Sequence, residues 1–151
     1  MPSLTVNEAR GGFTDTFKFT YTDLQGTSYL TSSQKVVATI PAGGILRSAG
    51  LVVNTAAAGA TDITISVGTT SGTPVEAIAT SGSATDLDAL TKSAFNTGTV
   101  LVNSAAGYII NNTTSSIPVY AKFGGTFASL TAGEWVLAFG ILDIAGLANN
   151  A

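Results

Sequence analysis

Residues 36–73, VVATIPAGGILRSAGLVVNTAAAGATDITISVGTTSGT, decide the fold class of this chain. An apolar strand runs into Pro41-Ala42-Gly43-Gly44, a longer apolar strand follows, and a small-residue loop leads to a third strand that stops at Gly68. Proline cannot donate to a ladder, and Gly43 and Gly44 can take the positive φ of a tight turn, so a turn is predicted between the first two strands. In the third strand Ile63, Ile65 and Val67 alternate with Asp62, Thr64 and Ser66. That period of two predicts one buried face and one that meets water. Nothing in the stretch is built for chemistry; it reads as scaffold.

The pattern continues on both sides. Residues 1–12 have no periodicity and end in Gly11-Gly12, which predicts a flexible or partner-bound arm. Phe17, Phe19 and Tyr21 alternate with Thr16, Lys18, Thr20 and Thr22, a strand with one aromatic face that Gly26 breaks; Tyr29-Leu30 can start a short second piece. Lys35–Ile40, Ile45–Asn54 and Asp62–Gly68 are the strands of the opening stretch. Thr85–Phe95 is the only helical-looking segment, with Thr85 or Asp86 as cap and Leu87 and Leu90 facing the core. Strands are predicted again at Thr99–Val102, Tyr108–Asn111, Ile117–Phe123 and Trp135–Ile144. The expectation is an arm (1–12), a β domain (13–145) and a loose tail (146–151). About eight short strands with almost no helix indicate an all-β, antiparallel sandwich or barrel, and strand count favours a jelly-roll-like β-sandwich.

Composition fits a scaffold. The 151 residues make one domain, and only 10% of them are charged, against about 25% in ordinary soluble domains. Hydroxyl and small residues fill the gap, which suits a protein held in a fixed assembly better than one that diffuses freely. The net charge is -3. Arg10, Lys18, Lys35, Arg47, Lys92 and Lys122 are scattered singly, so no basic patch for nucleic acid is expected. With no cysteine there is neither a disulfide framework nor a thiolate metal site. The segment MPSLTVNEARGG lacks the apolar core of a secretory signal, and the apolar run Trp135–Leu142 is far shorter than the roughly 20 residues of a membrane helix, so a soluble, unexported protein with no membrane partner is expected.

A search for chemistry finds no constellation. There is no histidine, the commonest general base and metal ligand. No serine or threonine has a visible activating partner, and no G-x-S-x-G elbow occurs. Asp86 and Asp88 form the closest acidic pair, but without the following Gly and Glu of a calcium loop they read as a helix cap and a solvated charge. Gly43-Gly44 and Gly124-Gly125 lack the lysine of a phosphate loop and read as turns. Asn111-Asn112-Thr113-Thr114 spells overlapping glycosylation acceptors, yet reads as a polar hairpin tip. No enzyme, cofactor or metal site is expected.

A partner surface carries more signal. In the closing strand Trp135, Leu137, Phe139 and Ile141 share one face, while Val136, Ala138, Gly140 and Leu142 share the other. A strand on a solvated sheet shows polar residues on its second face, so this one is expected to be covered on both sides. Either the domain's own loops cover it, or Val136, Ala138, Gly140 and Leu142 form a subunit interface.

The run Val36–Thr73 and the run Tyr108–Ile144 (YIINNTTSSIPVYAKFGGTFASLTAGEWVLAFGILDI) resemble the decoration, or cement, proteins of tailed-bacteriophage heads. The shared features are an Ile-Pro-Ala-Gly turn before an apolar strand (Ile40–Gly43), an Ile-x-Ile-x-Val-Gly-Thr strand (Ile63–Thr69), and a Thr-Ala-Gly turn into a closing apolar strand (Thr131–Gly133). The likeness covers about two-thirds of the chain. It implies a jelly-roll-like homotrimer near threefold positions of the head, bound to the outer surface of the major capsid protein, with no catalysis and no cofactor. The arm residues Pro2, Ser3, Leu4, Thr5 and Val6 are the expected capsid contacts. Competing readings are a trimeric head fibre or receptor-binding appendage recognising a host surface, a carbohydrate-binding module, and a hydrolase.

Overall fold

The computed structural model describes residues 13–26, 34–78, 85–88, 90 and 109–145. Within them the order is β1 (Asp15–Thr20), α1 (Tyr21–Leu24), β2 (Gln34–Ile40), β3 (Gly44–Ala58), β4 (Thr64–Gly68), β5 (Thr85–Asp86), β6 (Ile109–Ile110), β7 (Ile117–Gly124) and β8 (Ala132–Asp143). Two antiparallel four-stranded sheets, β1-β8-β3-β6 and β2-β7-β4-β5, make an all-β sandwich. Strands far apart in sequence pair in a nested way: β1 with β8, β2 with β7, β3 with β6, and β4 with β5. Contacts of β8 with β3 and of β7 with β4 then close each sheet. This is the pattern made by a long antiparallel double ribbon folded over on itself.

The inward residues of both sheets fill the core. Phe19, Leu51, Val53, Trp135, Leu137 and Phe139 come from one sheet and Ile40, Ile65, Val67, Val119, Ala121 and Phe123 from the other, all fully buried. Phe19 joins the layers: its ring meets Phe123 edge-on at 4.9 Å and stacks on its ladder partner Trp135 at 5.2 Å. Such pairs add about 0.5–1.5 kcal/mol each beyond area burial.

The opening turn forms as expected. Gly43 has φ 73°, and the Gly44 N–H donates to the Pro41 carbonyl at 2.8 Å, closing a turn that requires a positive φ at its third residue. β3 then runs further than its apolar pattern suggests, because three register shifts, between Leu46 and Ser48, Val53 and Thr55, and Thr55 and Ala58, reset its alternation. The register skips Arg47 and Asn54, so Leu46, Ala49, Leu51 and Val53 all face the core although their spacing is irregular.

Several expectations are corrected. Thr85 and Asp86 do not cap a helix; they pair with Ile65 and Thr64 as β5, and the Leu87 N–H donates to Ile63. The aromatic strand ends at Thr20 rather than Thr22. There Thr20 and Asp23 form a capping box that starts the one-turn helix α1, whose Leu24 is fully buried. Ala132 and Gly133 are not a turn but the first residues of β8. Ser66 does not meet water: it is 5% exposed. It neighbours Lys122, which pairs in turn with Gln34, and the loop after β4 folds onto these two. Gln34 Nε2 donates to Ser71 Oγ, the Gly72 N–H donates to Gln34 Oε1, and Lys122 Nζ donates to the Gly72 carbonyl, each at 2.7 Å. Glu76 orders the same loop by accepting from the Thr69, Thr70 and Val75 N–H groups and from the Thr70 hydroxyl.

Asn111 is not part of an exposed tip either. It is fully buried, with Nδ2 at 2.8–3.0 Å from the carbonyls of Ile40, Pro41 and Ser115 and Oδ1 accepting from Thr113. It therefore locks the β2–β3 turn to the start of the loop before β7. The expected arm 1–12, Tyr29-Leu30, residues 91–95 of the expected helix, Thr99–Val102 and the tail 146–151 lie outside the described residues.

Candidate interaction face

The outer side of the β1-β8-β3-β6 sheet gathers the predicted interface residues. Trp135, Leu137 and Phe139 point into the core, with Ile141 half-buried against it, so Val136, Ala138, Gly140 and Leu142 occupy the opposite face of β8. Ladder register supplies their neighbours. Leu142 lies beside Ile45, which pairs with Ile110; Gly140 lies beside Ser48; Ala138 lies between Thr16 and Gly50; Val136 lies between Lys18 and Val52. Thr14 extends the β1 side by accepting the Ile141 N–H at 3.0 Å and donating its own N–H to Phe139.

Two properties define the face. Its centre, Ser48, Gly50, Ala138 and Gly140, is built of small residues, and Ala138 is 5% exposed without belonging to the core cluster. Its lower end is aliphatic: Ile110 is 54% exposed, and Ile144, just past β8, is 45% exposed. Arg47, the bulged residue of β3, is exposed between Leu46 and Ser48. The pattern of β8 alone made its own four residues legible, but the partners from β1, β3 and β6 depend on register and on the Arg47 bulge.

The upper end of the face is polar, and sequence reasoning missed it. Glu134 sits between Thr20 and Thr55 in the ladder. Its Oε1 accepts from Asn54 Nδ2 at 3.0 Å and pairs with Lys18 Nζ at 3.1 Å. The Asn54 hydrogen bond first, and the Lys18 ammonium after it, hold the carboxyl below the usual carboxylate range. Asn54 reaches this position because it is the bulged residue, which a strand pattern does not foretell. The acidic pair singled out in the sequence is not brought together for a ligand: Asp88 Oδ1 accepts the Ile63 N–H at 2.9 Å, a structural contact. Among the described residues no group of three or more acidic side chains is placed to hold a metal ion, and no helix is long and apolar enough to cross a membrane.

No family model matches this chain, and neither a curated protein nor a solved structure matches it.

Proposed function

We propose that the protein is a structural decoration, or cement, protein of a phage head, acting as a homotrimer on the outer surface of the major capsid protein. The observation that carries this reading is the charge-poor outer face of the β1-β8-β3-β6 sheet. From Ile110 and Leu142 through Gly140 and Ala138 to Val136, its ladder rows hold no charged side chain until Lys18; the exposed Arg47 is the bulged residue beside Ser48 and stands outside the rows. Interface centres are depleted of charge, and small residues let another backbone approach closely. Val136, Ala138, Gly140 and Leu142 are assigned to the subunit contact, and Pro2, Ser3, Leu4, Thr5 and Val6 to the capsid. The nested strand pairing supports reading the sandwich as a jelly roll, the form that the resemblance to cement proteins implies.

Cryo-microscopy of the parent virion tests the proposal. Density for this chain is expected outside the shell, at threefold positions, with the Ala138 face buried. Finding the protein in the tail, or missing from purified particles, refutes it.

A further inference from the structure

At the polar end of the same sheet a cleft of about 250 Å³ opens between β1, α1, β3 and the start of β8. Glu134 stands on its wall with Thr20 and Thr55 beside it in the ladder, while Tyr21 and Thr131 complete the opening. Part of the lining is Gly133, whose backbone lies directly over the six-membered ring of buried Trp135; a Cβ there would sit 2.1 Å from Trp135 Cη2.

The hydrogen-bonding state of these groups indicates what the cleft takes. Glu134 Oε1 is fixed by Asn54 and Lys18, so the carboxylate is aimed, while Oε2 has no hydrogen bond among the described residues. The Tyr21 phenol and the Thr55 and Thr131 hydroxyls likewise make no side-chain hydrogen bond among the described residues. Four polar groups without a protein hydrogen-bond partner among the described residues therefore line one concavity: the Glu134 Oε2, the phenol of half-buried Tyr21, and the hydroxyls of exposed Thr55 and Thr131. A carboxylate accepts from hydroxyls, and threonine and tyrosine both donate and accept. An anion is repelled by Glu134. A calcium ion requires six or more oxygens, most of its charge balance coming from carboxylates, and only one is present. A compact ring bearing several hydroxyls satisfies all four groups. The volume lies below the about 300–1,000 Å³ of drug-sized pockets, which leaves room for one such ring.

We infer that this cleft binds a single monosaccharide unit, such as the terminal residue of a glycan, with Glu134 Oε2 accepting a sugar hydroxyl and Tyr21, Thr55 and Thr131 completing the contacts. The site lies beyond the charge-poor strip and does not rest on the capsid reading.

The test is saturation-transfer NMR and calorimetry on the full chain with methyl glycosides of neutral hexoses, 6-deoxyhexoses and N-acetylhexosamines, each alone. One class should bind with Kd of about 1 mM. Glu134→Gln, which keeps the side-chain shape, should weaken that binding about tenfold through loss of a charged acceptor. Tyr21→Phe, which keeps the ring and its packing, should weaken it severalfold. Thr39→Ala, on the outer face of the opposite sheet, should bind as the parent does. Should Glu134→Gln fail to fold by circular dichroism, the exposed pair Thr55→Ala and Thr131→Ala gives the same reading. The inference is overturned if no glycoside binds, if Glu134→Gln and Tyr21→Phe bind undiminished, or if calcium chloride alone perturbs the Glu134 resonances.

Discussion

Gly133→Ala is the sharpest test of the packing at the start of β8. Gly133 has φ 149°, a backbone conformation that only glycine adopts readily. Holding an alanine there costs about 1–3 kcal/mol in strain. The new methyl would also lie 2.1 Å from Trp135 Cη2 and 2.8 Å from Cζ2 and Cζ3. Trp135 is fully buried and stacked on Phe19, so the ring has no free space to move into. Overpacking of this kind adds about 1–3 kcal/mol. The lower entropy of the unfolded alanine chain returns about 0.4–1 kcal/mol. The net destabilisation is therefore about 1–6 kcal/mol, or about 2–24 °C in Tm for a chain of this size. Trp135 is the sole tryptophan, so denaturant titration followed by its fluorescence reads the perturbed site directly. Gly72→Ala is the control: Gly72 has φ 86° and nothing within 4 Å of the added methyl, so only backbone strain remains, about 1–2 kcal/mol. If Gly133→Ala is no more destabilising than Gly72→Ala, the argument from the Trp135 ring is wrong.

Three further outcomes are expected. Asn111→Ala strands the buried Ile40 carbonyl and the part-buried carbonyls of Pro41 and Ser115 and should cost about 2–4 kcal/mol in a urea titration; Asn111→Asp, nearly isosteric but without donors, should do no better. Burial alone raises the Glu76 carboxyl pKa, but hydrogen bonds from the Thr70 hydroxyl and from the Glu76, Thr70 and Thr69 backbone outweigh it and leave the group below its ordinary 4.5. Because the folded value is depressed, this stabilisation is present above pH 4.5 and lost as pH falls through the folded value; amide exchange at Thr69 and Val75 should accelerate there, and Glu76→Gln should abolish that pH dependence. The proposed trimer contact predicts that Ala138→Arg, a bulky charge among small residues, keeps β circular dichroism but sediments as a monomer while the parent sediments as a trimer; outright unfolding would assign that face to the domain itself.

Much of the sheet framework was legible because it obeys simple periods. The Pro41–Gly44 turn, the Ile63-Ile65-Val67 row and the two faces of Trp135–Leu142 each follow from residue size and alternation alone. The capping box at Thr20 was also spelled in the chain, Thr-x-x-Asp before Leu24, but the aromatic alternation up to Tyr21 masked it. Local spelling is overridden where a tertiary contact outranks it. Thr85-Asp86 has the composition of a helix cap, yet β4 offers it a ladder and Ile63 accepts the next N–H. Asn111 has the composition of a tip, yet three carbonyls converge on it from segments about 70 residues away and from Ser115.

The candidate face divides along the same line. Its β8 half follows from a period of two, whereas its polar end depends on bulges that no period reveals. Skipping Asn54 keeps Val53 in the core and sends the next ladder residue, Thr55, to the outer face beside Glu134. The skipped amide is then free to hold Glu134 Oε1 alongside Lys18. Without that extra residue, Asn54 itself would take the outer position opposite Glu134 and Thr55 would turn toward the core. One inserted residue thus keeps the aliphatic side of β3 continuous while assembling a carboxylate, an amide and an ammonium on the other side. A bulge retained in a strand otherwise built for burial is a feature that re-aims side chains, and here it brings the Asn54 amide to the Glu134 carboxylate at the polar end of the face.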